Sequence, residues 1–495
     1  MNRSFPLMTL CFALFVAACT SGISESGSTI VVSGGPKATP KASCGPGSRP
    51  ETGMQGRVSP EDHSSGRAAA GFTCNTEMVG SYITPNPTSL SATPFGTVGG
   101  FRVHRYVDKN GHECAYYDTT LLFPTNVFDA MAGVNVMDMT DPSNPKFVTA
   151  LITPAMLSPH ESLVISQERG VLAAVLGNPA AYPGSVDVYD ISQDCRNPTL
   201  KAVAPVGILG HEGGMAPDGK TFYSASPGTP TLTPVDISNL SLPLPLTVLP
   251  VYSHGLMISD DGNRAYVAGV GPGGIAGDDP NKGLIILDTS EIQARKQNPQ
   301  VPVIARLSWP TISIPQNAIP VTIKGHPYVV EIDEYGGING TGGPNVGAGR
   351  IIDIGDEKNP KVISDLRLEV HQNENFDTIR NDVGATNPAG GYVGHYCNVP
   401  TRKDPTIVAC SMGLSGLRIF DIRDPYHPRE AAYFNAPVQP RIIGSPLPAP
   451  IPSFPPQASN WAMSSPAFVP ERKEIWYSDG YQGFFVVRVT NGAWQ

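Results

Sequence analysis

Three histidines occupy the same context at three places in the chain: His160 in Pro-His-Glu-Ser-Leu, His211 in Gly-His-Glu-Gly-Gly and His254 in Ser-His-Gly-Leu-Met. Each opens a short run that meets a turn seven residues later, at Gln167, Asp218 and Asp261. His395, in Gly-His-Tyr-Cys, opens a similar run with its turn seven to nine residues on. Neutral imidazole is a good ligand for Cu, Fe, Zn or Ni, so four rings delivered to one point could hold a metal ion. Glu161 and Glu212, each following one of these rings, could stand behind them as hydrogen-bond partners of the ligands. Gln316-Asn317 and the region of Ser465 sit at corresponding places elsewhere. His104, His112, His326 and His371 read as packing or surface residues, and His63 and His427 as loop residues.

Other chemistry is thin. There is no Gly-x-Ser-x-Gly, His-Glu-x-x-His, Walker or dinucleotide glycine motif. Gly277-Asp-Asp-Pro-Asn281 reads as a solvated turn before it reads as a Ca²⁺ loop. Glu331-Ile-Asp333-Glu334 alternates like a strand and gives no catalytic acid pair. Trp309, Trp461 and Trp476 read as core or channel-lining aromatics.

What must position the histidines is a repeat. An apolar strand ending in Asp, then a polar turn, recurs at Gly133–Asp138, Gly184–Asp190, Leu232–Asp236, Gly283–Asp288, Gly349–Asp353 and Gly416–Asp421; a last copy, Gly483–Arg488, carries Arg in place of Asp. The seven copies are spaced about 58 residues apart, a period that signals a propeller or solenoid when the unit is made of strands. Asp-Gly turns before the repeat strand, at Pro217–Lys220 and Asp260–Asn263, and a further apolar run after it give four strands per unit, which is a propeller blade. Composition agrees. The 52 Gly and 50 Pro among 495 residues exclude a mainly helical chain, and 40% hydrophobic residues exclude disorder throughout. A formal charge of −9 with no basic block argues against nucleic acid as a partner. The expected fold is therefore all-β, a seven-bladed β-propeller over residues 91–495, with insertions at about 272–282, 335–347 and 372–393 forming blade-edge loops. The first strand of each blade lines the central channel, so equal offsets place His160, His211, His254 and His395 at one height around the axis.

The pattern Gly-Leu-x-Ile-x-Asp-(Ile/Val)-x-Asp-Pro-x-x-Pro, best at Gly133–Pro145 and Gly416–Pro428, resembles the LVIVD repeat of bacterial secreted and lipid-anchored propellers. That resemblance covers roughly residues 95–495 and implies a fold more firmly than an activity. The histidine arrangement resembles, in pattern alone, the carotenoid oxygenases, with four His on iron, and the selenium-binding or methanethiol oxidase propellers, with His-bound copper. It implies Cu or Fe as cofactor. WD-repeat propellers offer a different precedent: a Gly-His before each first strand that hydrogen-bonds within its own blade and binds nothing, which Gly210-His211 and Gly394-His395 also fit.

The N-terminus reads as an address. Arg3 and the apolar run Phe5–Ala18 have the form of a signal peptide over residues 1–18. Val16-Ala-Ala-Cys19 resembles the bacterial lipobox, which implies cleavage before Cys19 and lipidation of its thiol; Thr20 in place of Asp resembles outer-membrane sorting. Residues 19–90 are expected to form a disordered, lipid-anchored tether and N-terminal extension, Ser-, Gly-, Thr- and Pro-rich over 20–60. Of the six cysteines left after Cys11 and Cys19, Cys397 and Cys410 flank a turn and are expected to pair across neighbouring strands. The expected protein is a cell-envelope lipoprotein, on the periplasmic or surface face, touching the membrane through its anchor. It would act as a metal-dependent oxidoreductase on a small-molecule substrate, or as a non-catalytic scaffold that recognises an envelope protein or glycan.

Overall fold

Each copy of the repeat became the third strand of a blade. The computed structural model describes residues 29–31, 36–83, 99–119, 133–176, 183–272, 279, 282–335, 346–385, 391–439 and 459–495. Within them seven small antiparallel sheets form a closed ring, an all-β seven-bladed propeller. The third strands are Val134–Asp138, Val186–Asp190, Thr233–Asp236, Gly283–Asp288, Gly349–Asp353, Leu417–Asp421 and Gly483–Val489, and they number blades I to VII. No helix among the described residues is long and apolar enough to cross a membrane.

The Asp that six of the seven copies carry has a local job. The Oδ1 of Asp138, Asp190, Asp236, Asp288, Asp353 and Asp421 each accepts the backbone N–H two residues ahead, at 2.8–3.1 Å. This side-chain turn stops the strand and sends the chain to the outer edge of the blade. At the other end, Gly133 adopts φ +100°, and a Cβ there would collide with the Leu151 carbonyl, so only glycine starts that strand without strain.

Third strands are buried on both faces, and in blade IV this shows as the continuous apolar run Leu284-Ile-Ile-Leu287. Between every two neighbouring blades lies one apolar cluster. Val136 meets Leu172 between I and II, and Val188 meets Phe222 between II and III. Tyr223 meets Leu256 between III and IV, and Ile286 meets Val329 between IV and V. Val330 meets Phe420 between V and VI, and Ile419 meets Val487 between VI and VII. The seventh cluster, Ala115 and Met137 against Trp476 and Val486, joins VII to I and closes the ring.

Closure also uses the N-terminal segment. Thr76–Tyr82 pairs antiparallel with Gly483–Val489 as the outermost strand of blade VII, Phe72–Cys74 adds a fifth strand to blade VI, and Thr29–Val31 pairs with blade IV. Sheet edges that would otherwise be open are thereby covered. This corrects the expectation that residues up to 60 form a tether, that 19–90 stand apart, and that the propeller begins at 91. Residues 36–83 are held by the Cys44–Cys74 disulfide, by Glu51 against buried Arg418 at 2.8 Å, and by Arg57 against Asp382 at 2.8 Å. The signal segment 1–18 and Cys19 lie outside the described residues, as do the central parts of the insertions near 272–282 and 335–347. The insertion at 372–393 is no plain loop: it carries a 3-10 turn, Asn373–Asn375, and a short helix, Phe376–Ile379. The Cys397–Cys410 disulfide forms across the first two strands of blade VI, and Cys114–Cys195 ties blade I to blade II.

Candidate metal centre

The inner strands of blades II to VI deliver one cluster. His160 and Glu161 lead into Val164–Ser166, His211 leads into Glu212–Met215, His254 lies in Ser253–Ile258, Gln316 in Ile314–Ile323, and His395 leads into Tyr396–Asn398. The four histidines are brought together as their offsets require. Nε2 of His211 and His254 lie 3.2 and 3.3 Å from Glu161 Oε2, and 3.2 Å from each other. His395 Nε2 lies 2.9 Å from Glu161 Oε1. His160 meets His211 edge to face with ring centroids 4.0 Å apart.

Glu161 is the surprise. It was expected behind the ligands and lies among them, with a side chain only 1% exposed. The backbone explains it. His160 has φ +49°, a left-handed conformation rare outside glycine. It breaks the strand alternation that would send residues 160 and 161 to opposite faces. Glu212 follows the ordinary alternation. It turns away from the rings to pair with Arg102 of blade I, whose Nη2 also lies 3.5 Å from the Tyr396 hydroxyl. Arg102, Glu212 and Tyr396 thus form a second layer, one residue further along the inner strands. Gly255 in this layer has no side chain, and a Cβ there would collide with the Glu212 carboxylate and the Gln316 carbonyl.

The sequence reading missed Glu334. It ends the second strand of blade V, His326–Glu334, and brings Oε2 to 2.9 Å from His395 Nε2 and Oε1 to 3.5 Å from His254 Nε2. Its neighbours Glu331 and Asp333 instead pair with Arg350, with Asp333 also accepting from Trp309 Nε1 at 2.9 Å. No local signal separates Glu334 from them, since its unit has no histidine at the shared position.

Two features fix the rings as ligands would be fixed. The Pro315 carbonyl lies 2.9 Å from His254 Nδ1, and the Met463 carbonyl 2.6 Å from His395 Nδ1. A carbonyl can only accept, so Nδ1 carries the proton and Nε2 is left to face the carboxylates. Both carbonyls belong to the next blade's inner segment, which sets these rings apart from the within-blade Gly-His of WD repeats. The second feature is incomplete pairing. His160 Nδ1, Glu161 Oε2, Glu334 Oε2 and Gln316 Oε1 are buried and have no hydrogen bond of ordinary geometry. Buried polar atoms usually have one, and the nitrogens close to these oxygens aim beside them.

Electrostatics follow the crowding. Burial pushes the Glu161 carboxyl up, but the imidazoles, His160 first, hold it well below the usual carboxylate range. Burial and the neighbouring His211 push His160 well down. Burial also works against charge on His254 and His395; Glu334 and Glu161 outweigh it, raising them to about 9 and about 10. A cation bound here would have to compete with the protons that these carboxylates favour on the two rings. Donor atoms of His160, Glu161 and His211 lie within 4.8 Å of one another, as do those of Glu161, Glu334 and His395, so either group could hold a metal ion. A third cluster, Asp108, His112 and Asp194, is already paired: Asp194 binds Arg196 at 2.9 Å, and that cation sits against His112. The centre is walled by Phe101, Tyr396, Trp461, Met463 and Tyr481. His211, with 18% of its side chain exposed, is its most accessible ligand candidate.

No family model matches the chain, and no curated protein matches it. Among solved structures it is similar to Kuenenia stuttgartiensis hydrazine synthase, at 15% identity over 82% of this chain and 99% of that one, with a TM-score of 0.46. It is also similar to a periplasmic gluconolactonase of Pseudomonas aeruginosa, at 12% identity over 68% of this chain and 88% of that one, with a TM-score of 0.40. At such identities the likeness is one of fold. The chain is a seven-bladed β-propeller whose inner strands gather four histidines and Glu161 into one group, which Glu334 joins from a second strand.

Proposed function

We propose that this protein is a metal-dependent oxidoreductase of the bacterial cell envelope, with metal ligands drawn from His160, His211, His254, His395, Glu161 and Glu334. The observation that carries the reading is the convergence of three Nε2 atoms on the Glu161 carboxylate at 2.9–3.3 Å, two of the rings being fixed from behind by backbone carbonyls. Two carboxylates among the imidazoles favour iron over copper, because a mixed imidazole–carboxylate set with open positions is the donor pattern of non-haem iron oxygenases. Iron there would supply one-electron and oxygen chemistry. The chain's own residues would orient the ligating rings through Pro315 and Met463, exclude water with the aromatic wall, and admit a small substrate beside His211.

Three disulfides support an oxidising compartment. With the signal-like start and Val16-Ala-Ala-Cys19, they support export and lipidation at Cys19. The six Asp turns support membership of the LVIVD-repeat propellers. Metal analysis of protein exported with its own leader tests the central point. Wild type should carry iron, and the His211→Ala, His254→Ala double variant should lose at least tenfold of it. Equal or negligible metal in both would contradict the reading and favour a scaffold that holds an envelope protein or glycan. For the anchor, fatty-acid labelling should appear on wild type and vanish in Cys19→Ser.

A further inference from the structure

Six donor side chains are more than one catalytic ion uses, since such an ion typically takes about three or four protein ligands and keeps a position open for substrate. They also fall into two groups joined chiefly through Glu161, with His254 Nε2 of the first a longer 3.5 Å from Glu334 Oε1 of the second. On one side, His211 Nε2 and His254 Nε2 lie 3.2 and 3.3 Å from Glu161 Oε2 and 3.2 Å from each other, and His160 packs on His211. On the other, His395 Nε2 lies 2.9 Å from Glu161 Oε1 and 2.9 Å from Glu334 Oε2. Gln316 is beside this second group, with its Nε2 3.4 Å from His395 Nε2 and a buried Oε1 that lacks a partner. Donor atoms bound at about 2.0–2.2 Å to one ion in tetrahedral or octahedral array stand about 3.0–3.5 Å apart, close to the 3.2–3.3 Å among His211, His254 and Glu161 and the 2.9 Å from His395 to each carboxylate. The two groups meet different oxygens of the same carboxylate, the arrangement by which a glutamate bridges two cations.

We infer that the centre holds two metal ions bridged by Glu161, one on His160, His211 and His254, the other on Glu334 and His395 with Gln316 beside it. The inference rests on the metal reading above and deepens it. A pair about 3.5–5 Å apart would present a substrate bound beside His211 with two Lewis-acidic centres in place of one. The two carboxylates cannot neutralise two divalent ions, so an anionic or readily deprotonated substrate is the chemical class that such a pair would take.

The test is a count. The purified full-length protein, stripped with chelator, is titrated with Co²⁺ without oxygen, and bound metal is measured by absorption and elemental analysis. Wild type should bind two equivalents. Glu334→Gln and His395→Gln should each lower the count to one, as should His160→Gln and His211→Gln, and Glu161→Gln should weaken both sites by at least tenfold. Circular dichroism identifies variants that keep the fold, and two independent substitutions on each side guard against a single misfolded one. His112→Ala should leave two equivalents. One equivalent in wild type, lost in His211→Gln and His395→Gln alike, would overturn the pair while leaving a single-ion centre. No bound Co²⁺ would overturn both readings. A second equivalent lost with His112→Ala would place it in the surface cluster and also overturn the pair.

Discussion

Two of the buried ionic clusters in this propeller differ in how fully their members are paired. Around Arg418, the guanidinium donates to Glu430 at 2.9 Å, to both oxygens of Glu51 at 2.8 and 3.2 Å, and to the Ser415 carbonyl at 2.8 Å. The remaining Glu430 oxygen accepts from Ala42 N–H and Gln55 Nε2 at 3.2 and 3.0 Å. Both carboxylates there share the one guanidinium and are hydrogen-bonded to it, and the cluster does one thing: it pins the N-terminal segment to blade VI. Around Glu161, by contrast, carboxylates and imidazoles crowd together with donor and acceptor atoms left over. Burying charge is costly unless it is paired and hydrogen-bonded. The first cluster serves stability; the second has donor atoms left over with which a cation could be held.

The largest effect should come from breaking the first cluster. Arg418→Ala strands Glu51 and Glu430 without their counter-charge and should cost about 3–5 kcal/mol in denaturant unfolding. Proteolysis of residues 36–83 should accelerate alongside. Cutting the same segment's covalent tie is next. Cys44→Ser with Cys74→Ser opens a 30-residue loop and should cost about 3–4 kcal/mol by loop-closure entropy. Stripping metal separates the two regions more sharply. Excess chelator should lower the stability of wild type by about 3 kcal/mol if metal had been present at 100 times its Kd. It should lower Arg418→Ala by the same amount, since the clusters share no residue. A chelator effect that vanished with Arg418→Ala would show them to be one unit.

The smallest effect is a pH response from an imidazole that is already satisfied. His104 meets the Leu163 carbonyl at 2.7 Å, and burial pulls its pKa from 6.5 down to about 4. As pH falls, the unfolded chain takes up this proton first. Its contribution is therefore whole above about 6.5 and is lost as pH drops toward about 4. The stability difference between wild type and His104→Gln should change across that window and stay flat above it.

Much of this was legible in the sequence because the repeat has a mechanism. The Asp that ends each third strand is needed to turn the chain, so it recurs where blades recur. The histidines were legible because equal offsets along inner strands mean equal heights on the axis. Glu161 was placed wrongly because alternation assumes an extended backbone, and His160 does not have one. Glu334 was invisible because only ring closure brings the end of a second strand beside His395. Arg102 was missed likewise, its partner Glu212 being 110 residues away. The N-terminal segment looked like a linker because Ser, Gly and Pro dominate it. What orders it is long-range: ion pairs of Lys41, Glu51, Arg57 and Glu77 to the blades and two borrowed strand positions, with the Cys44–Cys74 disulfide closing the segment on itself.

The central claim is that Glu161 and the histidines around it are metal ligands. Anomalous diffraction from crystals of protein exported without chelator, recorded across the iron edge, addresses it most directly. The account predicts difference density about 2.0–2.3 Å from Nε2 of His211 and His254 and from a Glu161 oxygen. Ordered His–Glu contacts with no anomalous density among them, in protein never exposed to chelator, would contradict it.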